Sequence, residues 1–202
     1  IAYFEKTVVI GKQQGAQQRV VRALMNIGNV AGMRSDFESS RRYFEETLSL
    51  ARDIGDRHAV SMVLGNLGFL AQLTKDYDQS RAYLLESIEL ARTLGNRNEV
   101  VGATINLGHL EIEVEDYEAA RAMFRDGLRE ASAIKALPHI MEALTQLAKC
   151  EEDPAIALKW LGHVQANAAT QQNVKEEAEQ QIEKLRAETD ESVLEAHLKT
   201  GA

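Results

Sequence analysis

The chain has 202 residues, 45% hydrophobic and 27% charged, with 5% aromatic residues, two prolines and one cysteine, a balance that favours long amphipathic helices over sheet. A net charge of −8 argues against phosphate neutralisation by a basic face, so no nucleic acid is expected as a partner of this segment. No apolar run approaches the ~20 residues that cross a bilayer, and the lone Cys150 excludes an intrachain disulfide, so no membrane partner and a cytoplasmic location are expected.

In chain order, the first feature is a fragment of a repeat. Tyr3 and Phe4 match Tyr43 and Phe44, and Gly15 matches Gly55. Residues 1–20 are therefore expected to form the second helix of a preceding, truncated repeat, so that the chain starts inside an array. Asn26-Ile27-Gly28 then recurs as Asn66-Leu67-Gly68 and Asn106-Leu107-Gly108, a step of 40 residues. Asp36-Phe37, Asp76-Tyr77 and Asp116-Tyr117 keep the same step, as do Arg41, Arg81 and Arg121, then Phe44, Leu84 and Phe124, then Ala51, Ala91 and Ala131. The repeats are placed at 21–60, 61–100 and 101–137, with a shortened terminal repeat at 138–170 and capping helices at 171–202. The short helix expected around Val193, Leu194 and Leu198 belongs to that cap.

Each unit reads as two helices. In the first helix of the second unit, Val63, Leu67, Leu70 and Ala71 fall at helical spacing, and Gly68 sits where a neighbouring helix can approach closely. Asp36, Asp76 and Asp116 are expected to cap the second helices, because a short carboxylate accepts from the free N–H groups of a first turn. Gly55 and Gly95 end those helices in a left-handed conformation. Lys135 takes that place in the third unit, and Pro138 opens the next helix.

At Leu24, Ile27, Gly28, Ala31, Ser40, Phe44 and Thr47 the sequence resembles the tetratricopeptide repeat, lengthened from the usual 34 residues to 40. The resemblance implies an all-α, right-handed α-solenoid of helix hairpins. Ala157-Leu158-Lys159-Trp160-Leu161-Gly162 is similar to the stretch that follows such repeats in bacterial signal-transduction ATPases, including LuxR-type large transcription regulators, and Val193 to Ala202 is similar to their final segment, with His197 in place of a tryptophan. That likeness implies an upstream ATPase domain in the parent chain, with this segment as its sensor.

The repeat geometry selects the candidate site. At 100° per residue, Arg22, Asn26, Asn29 and Met33 share one face of a first helix, while Leu24, Ile27, Gly28 and Ala31 face the stack. The corresponding stripes are Met62, Asn66, Phe69 and Leu73; Gly102, Asn106, His109 and Glu113; and Glu142, Gln146 and Lys149. A side-chain amide both donates and accepts, so the row Asn26, Asn66 and Asn106 fits the main chain of an extended peptide. The same row equally fits bonds between neighbouring helices that fix repeat spacing. Met62, Phe69 and Leu73 either make the groove apolar or lie under the next helix.

Other candidates carry simpler readings. His58, His109, His139, His163 and His197 lack metal-ligand spacing, so no metal or cofactor is expected. Arg41, Arg81 and Arg121 are expected to pair with acidic neighbours or lie along the surface, Glu176, Glu177 and Glu179 to form a solvated face, and Trp160 to anchor a core. The sequence contains no Gly-x-x-x-x-Gly-Lys-Ser/Thr loop and no Gly-x-Ser-x-Gly elbow, and the chain is read as a non-enzyme. The function expected is a sensor that binds a protein segment or small effector in the groove. The alternative is a peptide-binding scaffold without a switch.

Overall fold

The computed structural model describes residues 2–188 apart from residue 169. These residues form ten helices and no strand. They are α1 (Ala2–Gln13), α2 (Gln17–Met33), α3 (Phe37–Asp53), α4 (Arg57–Leu73), α5 (Tyr77–Leu94), α6 (Arg97–Glu113), α7 (Tyr117–Ala133), α8 (Leu137–Lys149), α9 (Pro154–Ala166) and α10 (Gln172–Glu188). The segment Val193 to Ala202, with its expected short helix, lies outside the described residues. Two compact units divide the chain between Leu110 and Glu111, within α6.

The 40-residue repeat is itself halved by its turns. Left-handed residues occur at Gly15, Ser35, Gly55, Lys75, Gly95, Glu115 and Lys135, one every 20 positions. Each closes a helix in the same way. Gly55 N–H donates to the Arg52 carbonyl and Asp56 N–H to Ala51; Ser35 N–H donates to Gly32 and Asp36 N–H to Ala31. These bonds satisfy carbonyls that the ended helix leaves open. Asp36, Asp76 and Asp116 accept from the N–H groups of Ser39, Gln79 and Ala119, as expected of caps. Asp56 and Asn96 do the same for Ala59 and Glu99, and Asp153 caps α9 through Ala155.

In the first unit, α1 packs on α2, α2 on α3, α3 on α4 and α4 on α5, with α2 also touching α4. Its core joins Val21, Met25, Phe44, Leu48, Val63, Leu64, Leu67 and Leu70. Burying each large apolar side chain contributes roughly 1.5–3 kcal/mol. Two glycines set how closely the hairpin helices approach. A Cβ at Gly28 would lie 2.6 Å from Phe44 Cε1, and one at Gly68 would lie 2.6 Å from Leu84 Cγ. Serines use the same proximity: Ser40 Oγ donates to the Gly28 carbonyl at 2.9 Å and Ser80 Oγ to the Gly68 carbonyl at 2.8 Å.

Polar contacts also link successive repeats of this unit. Lys12 pairs with Glu46 and Arg52 with Glu86, each at 2.9 Å and exposed, two rungs related by the 40-residue step. Exposed pairs of this kind contribute at most about 1 kcal/mol, so the apolar core and the close glycine contacts outweigh them.

In the second unit, α7 packs on α8, α8 on α9, and α10 on both α9 and α8. Met141, Ala148, Ala157, Leu161, Val164, Val174 and Ala178 make its core. Trp160 is half-buried and packs against that cluster from its edge, so it flanks the core where the sequence reading placed it as an anchor. Short α9 places Leu161 and Val164 inward while leaving Gly162 open.

Candidate functional site

The first helices of the repeats bury one face and expose the other. On α2, Leu24, Ile27 and Ala31 are buried, while Arg22, Asn26, Asn29 and Met33 are exposed. On α4, Val63, Leu67 and Ala71 are buried, while Met62, Phe69 and Leu73 are exposed and Asn66 is half-exposed. The two stripes adjoin: Asn66 Nδ2 donates to Asn29 Oδ1 at 3.3 Å. This bond is an inter-repeat link, one of the two roles open to the asparagine row. It uses one donor hydrogen of Asn66 and one lone pair of Asn29, and each amide retains further donors and acceptors.

The apolar part of the face is not covered by the following helix. Met33 is 87% exposed and Phe69 47%. Among the described residues of the first unit seven large hydrophobic side chains are exposed, and four of them, Met33, Met62, Phe69 and Leu73, lie on these two stripes. The concentration matters because scattered exposed apolar residues are ordinary, whereas contiguous ones mark contact surfaces.

On α6, Asn106 and His109 are half-buried and Glu113 is exposed. In the second unit the same column behaves differently, and the expectation for Gln146 is corrected. Gln146 is 2% exposed, and its Nε2 donates to Glu177 Oε1 at 3.1 Å. Lys149, the next residue of that stripe, pairs with the same carboxylate. The cause is α10, which lies against α8 much as α4 lies against α2. Glu177, read as part of a solvated face, is the residue that closes the amide column at this end.

Two features of the molecule stand outside the stripes. Arg41 Nη2 donates to Thr74 Oγ1 at 3.2 Å, and Arg121 Nη1 donates to the Cys150 carbonyl at 3.3 Å and to Glu152 at 3.1 Å. Both arginines thus reach from a second helix to the C-terminal end of the next first helix; the Arg121–Glu152 pair is the acidic pairing expected of this column, and the bonds to Thr74 and the Cys150 carbonyl add to it. Burial holds the Cys150 thiol above its ordinary value, with Arg121 and Lys149 acting in the opposite sense, so the reactive thiolate is disfavoured.

The other feature is a polar pocket within the first unit. Ser61 Oγ donates to the Ser87 carbonyl at 3.3 Å, and Ser87 Oγ lies 2.9 Å from the Ser61 carbonyl and 3.4 Å from Glu99 Oε1. Gly65 makes the space: a Cβ there would lie 2.6 Å from Glu99 Oε1. Burial pushes the Glu99 carboxyl above the ordinary range, against the Ser87 bond that lowers it. The Ser87 hydroxyl has one proton for two acceptors, and the Ser61 carbonyl is the nearer of them. The neighbouring repeats carry Val21 and Val101 in the Ser61 column and Met25 and Ile105 in the Gly65 column, so this pocket occurs once.

The profile of the tetratricopeptide repeat matches residues 19–93 and again 59–133, together more than half the chain. The chain belongs to the tetratricopeptide repeat family, whose members are all-α solenoids of helix hairpins and scaffolds for protein interaction. Among solved structures, it is similar to the crystal structure of BtubC (BKLC) from P. vanneervenii, with a TM-score of 0.79 at 12% identity over 96% of this chain and 85% of that one. At that identity the likeness concerns the fold alone. A second structure, the DHF58 filament, is aligned over 98% of this chain and 92% of its own at 16% identity, with a TM-score of 0.23 that supports no common architecture. No curated protein matches the chain in sequence. Among the described residues no helix is long and apolar enough to cross a membrane.

Proposed function

We propose that this chain is a non-catalytic, cytoplasmic binding module that takes a protein segment on the exposed face of α2 and α4. The observation that carries this reading is the joining of four exposed apolar side chains, Met33, Met62, Phe69 and Leu73, to amides whose hydrogen-bonding capacity is only partly used. An extended segment needs both, since its side chains require apolar area and its main chain requires donors and acceptors. Asn106 and His109 on α6 extend the candidate set. The finer placing, as the sensor arm of a larger signal-transduction ATPase or transcription regulator, rests on the resemblance of Ala157 to Gly162 to the stretch that follows repeats in those proteins. In that reading α10 is the cap of the array.

Selection of random peptides displayed against the full chain tests the binding reading. Peptides should be enriched that compete with one another for one site, and Phe69→Ser together with Leu73→Ser should abolish their capture while leaving the melting curve unchanged. No enrichment, or capture indifferent to both substitutions, would remove the face as the site. A parent gene encoding a phosphate-binding loop upstream would support the sensor placing; one with only further repeats would favour the scaffold.

A further inference from the structure

The methionines divide between the core and the open stripes. Met25 and Met141 are buried and Met123 on α7 is half-buried, whereas Met33 at the end of α2 and Met62 on α4 are exposed. The chain has five methionines, so the two with open thioethers both lie on the face already assigned to binding. Each also stands one turn from an amide. Asn29 precedes Met33 by four residues and Asn66 follows Met62 by four, a spacing that makes surface neighbours on a helix. These two asparagines are the pair joined across the repeats: Asn66 donates one amide hydrogen and Asn29 accepts it, which leaves the second hydrogen of Asn66 and both of Asn29 outside that bond.

We propose that Met33 and Met62 are oxidation sites through which a hydroperoxide closes the binding face. The thioether sulfur attacks the terminal oxygen of the hydroperoxide: an S–O bond forms as the O–O bond breaks, and sulfur gives up two electrons. The leaving hydroxide or alkoxide takes the proton from the transferred oxygen and departs as water or alcohol. The product is methionine sulfoxide, a polar side chain in place of an apolar one. It changes the face in two ways. Two of the four exposed apolar side chains are lost, leaving Phe69 and Leu73. The new sulfoxide oxygens accept from the neighbouring amides of Asn29 and Asn66, the donors that the main chain of a bound segment requires. Met25 and Met141 are shielded by burial, so the core keeps its packing while the surface changes. Enzymatic reduction of the sulfoxide restores the thioether, which makes the change reversible. This rests on the binding role proposed above and adds its regulation.

The test treats the full chain with hydrogen peroxide and maps the added oxygen by peptide mass. Met33 should be modified first and Met62 next, both before Met123, while Met25 and Met141 remain thioethers and the melting curve is unchanged. Peptides enriched from the random display library should then bind the oxidised chain roughly tenfold or more weakly, because a desolvated sulfoxide opposes an apolar contact. Met33→Leu together with Met62→Leu keeps apolar side chains of similar volume without sulfur, and should retain capture through the same treatment. Modification that begins at Met25 or Met141, or that reaches every methionine at one rate, would overturn the site assignment. Equal capture before and after oxidation of both sites would overturn the switch while leaving a peptide-binding face, as would an equal loss in the double leucine variant, which shares Cys150 with the parent. Failure to enrich any peptide would overturn the switch together with the function it rests on.

Discussion

Asn66 and Gln146 occupy the same column of the repeat in different units, and their surroundings are opposite. Asn66 is half-exposed, meets only Asn29, and stands beside Met62 and Phe69 on an open face. Gln146 is buried beneath α10 and tied to Glu177, which Lys149 also engages. A repeat fixes which side chains point away from the core of their own hairpin. Whether they remain open depends on the helix laid beside them, and in this column α4 keeps its apolar residues and its amide open where α8 does not.

That contrast can be broken most forcefully at the core beneath Asn66. Leu67 is its neighbour in sequence and is 2% exposed. Leu67→Ala should cost about 2–5 kcal/mol in denaturant unfolding, whereas Asn66→Ala should stay within about 1 kcal/mol. Equal losses would mean that the face and core are not separable at α4. Gly68→Ala is a smaller perturbation of the same packing: its new methyl must displace Leu84, and overpacking of this kind typically costs about 1–3 kcal/mol.

The covered column gives the converse. Gln146→Ala removes a buried donor to Glu177, and an expected loss of about 1–3 kcal/mol by the same unfolding measurement should exceed that of Asn66→Ala. If the two amides prove equally dispensable, α10 does not distinguish the units.

Glu99 sharpens the account of the first unit through pH. Its folded-state value is raised above the ordinary value of 4.5, so the folded protein binds the proton more tightly than the unfolded chain. The stabilisation is present below the unfolded value and is lost as pH rises through the folded one. Glu99→Gln should therefore melt higher than the parent at pH 8, with the gap closing as pH falls below 4.5. Asp36 has the reverse sign: bonds from Ser39 lower its value, so its contribution is present above the unfolded value of 3.8 and is lost as pH falls through the folded one. Identical pH profiles for parent and Glu99→Gln would show that burial does not raise the Glu99 carboxyl. The smallest effect is expected at Lys135, held at φ 57°. Lys135→Gly should stabilise by about 1 kcal/mol by relieving left-handed backbone strain, and a lower melting temperature would contradict this.

Much of the fold was legible because periodic residues carry it. Gly28 and Gly68 meet Phe44 and Leu84, and Asp36, Asp76 and Asp116 cap their helices as their spacing implies. The intermediate turns were harder to read. Glycine advertises a left-handed residue at 15, 55 and 95, but Ser35, Lys75 and Glu115 adopt the same conformation with nothing in their side chains to mark it. Helical spacing correctly put Arg22, Asn29, Met62 and Phe69 on exposed faces. It misplaced Gln146, because angles within one helix carry no information about α10. The Glu99 pocket was signalled only by a departure from the repeat, in Ser61 and Gly65, where neighbouring units have larger apolar residues.

The central claim, that the exposed stripes of α2 and α4 form the binding face, is tested most directly by amide nuclear magnetic resonance of the full chain titrated with a display-selected peptide. The expected result is saturable shifts concentrated at Arg22, Asn26, Asn29, Met62, Asn66 and Phe69, with the α8–α10 region unchanged. Saturable shifts confined to α3 and α5, or centred on Gln146 and Glu177, would contradict it.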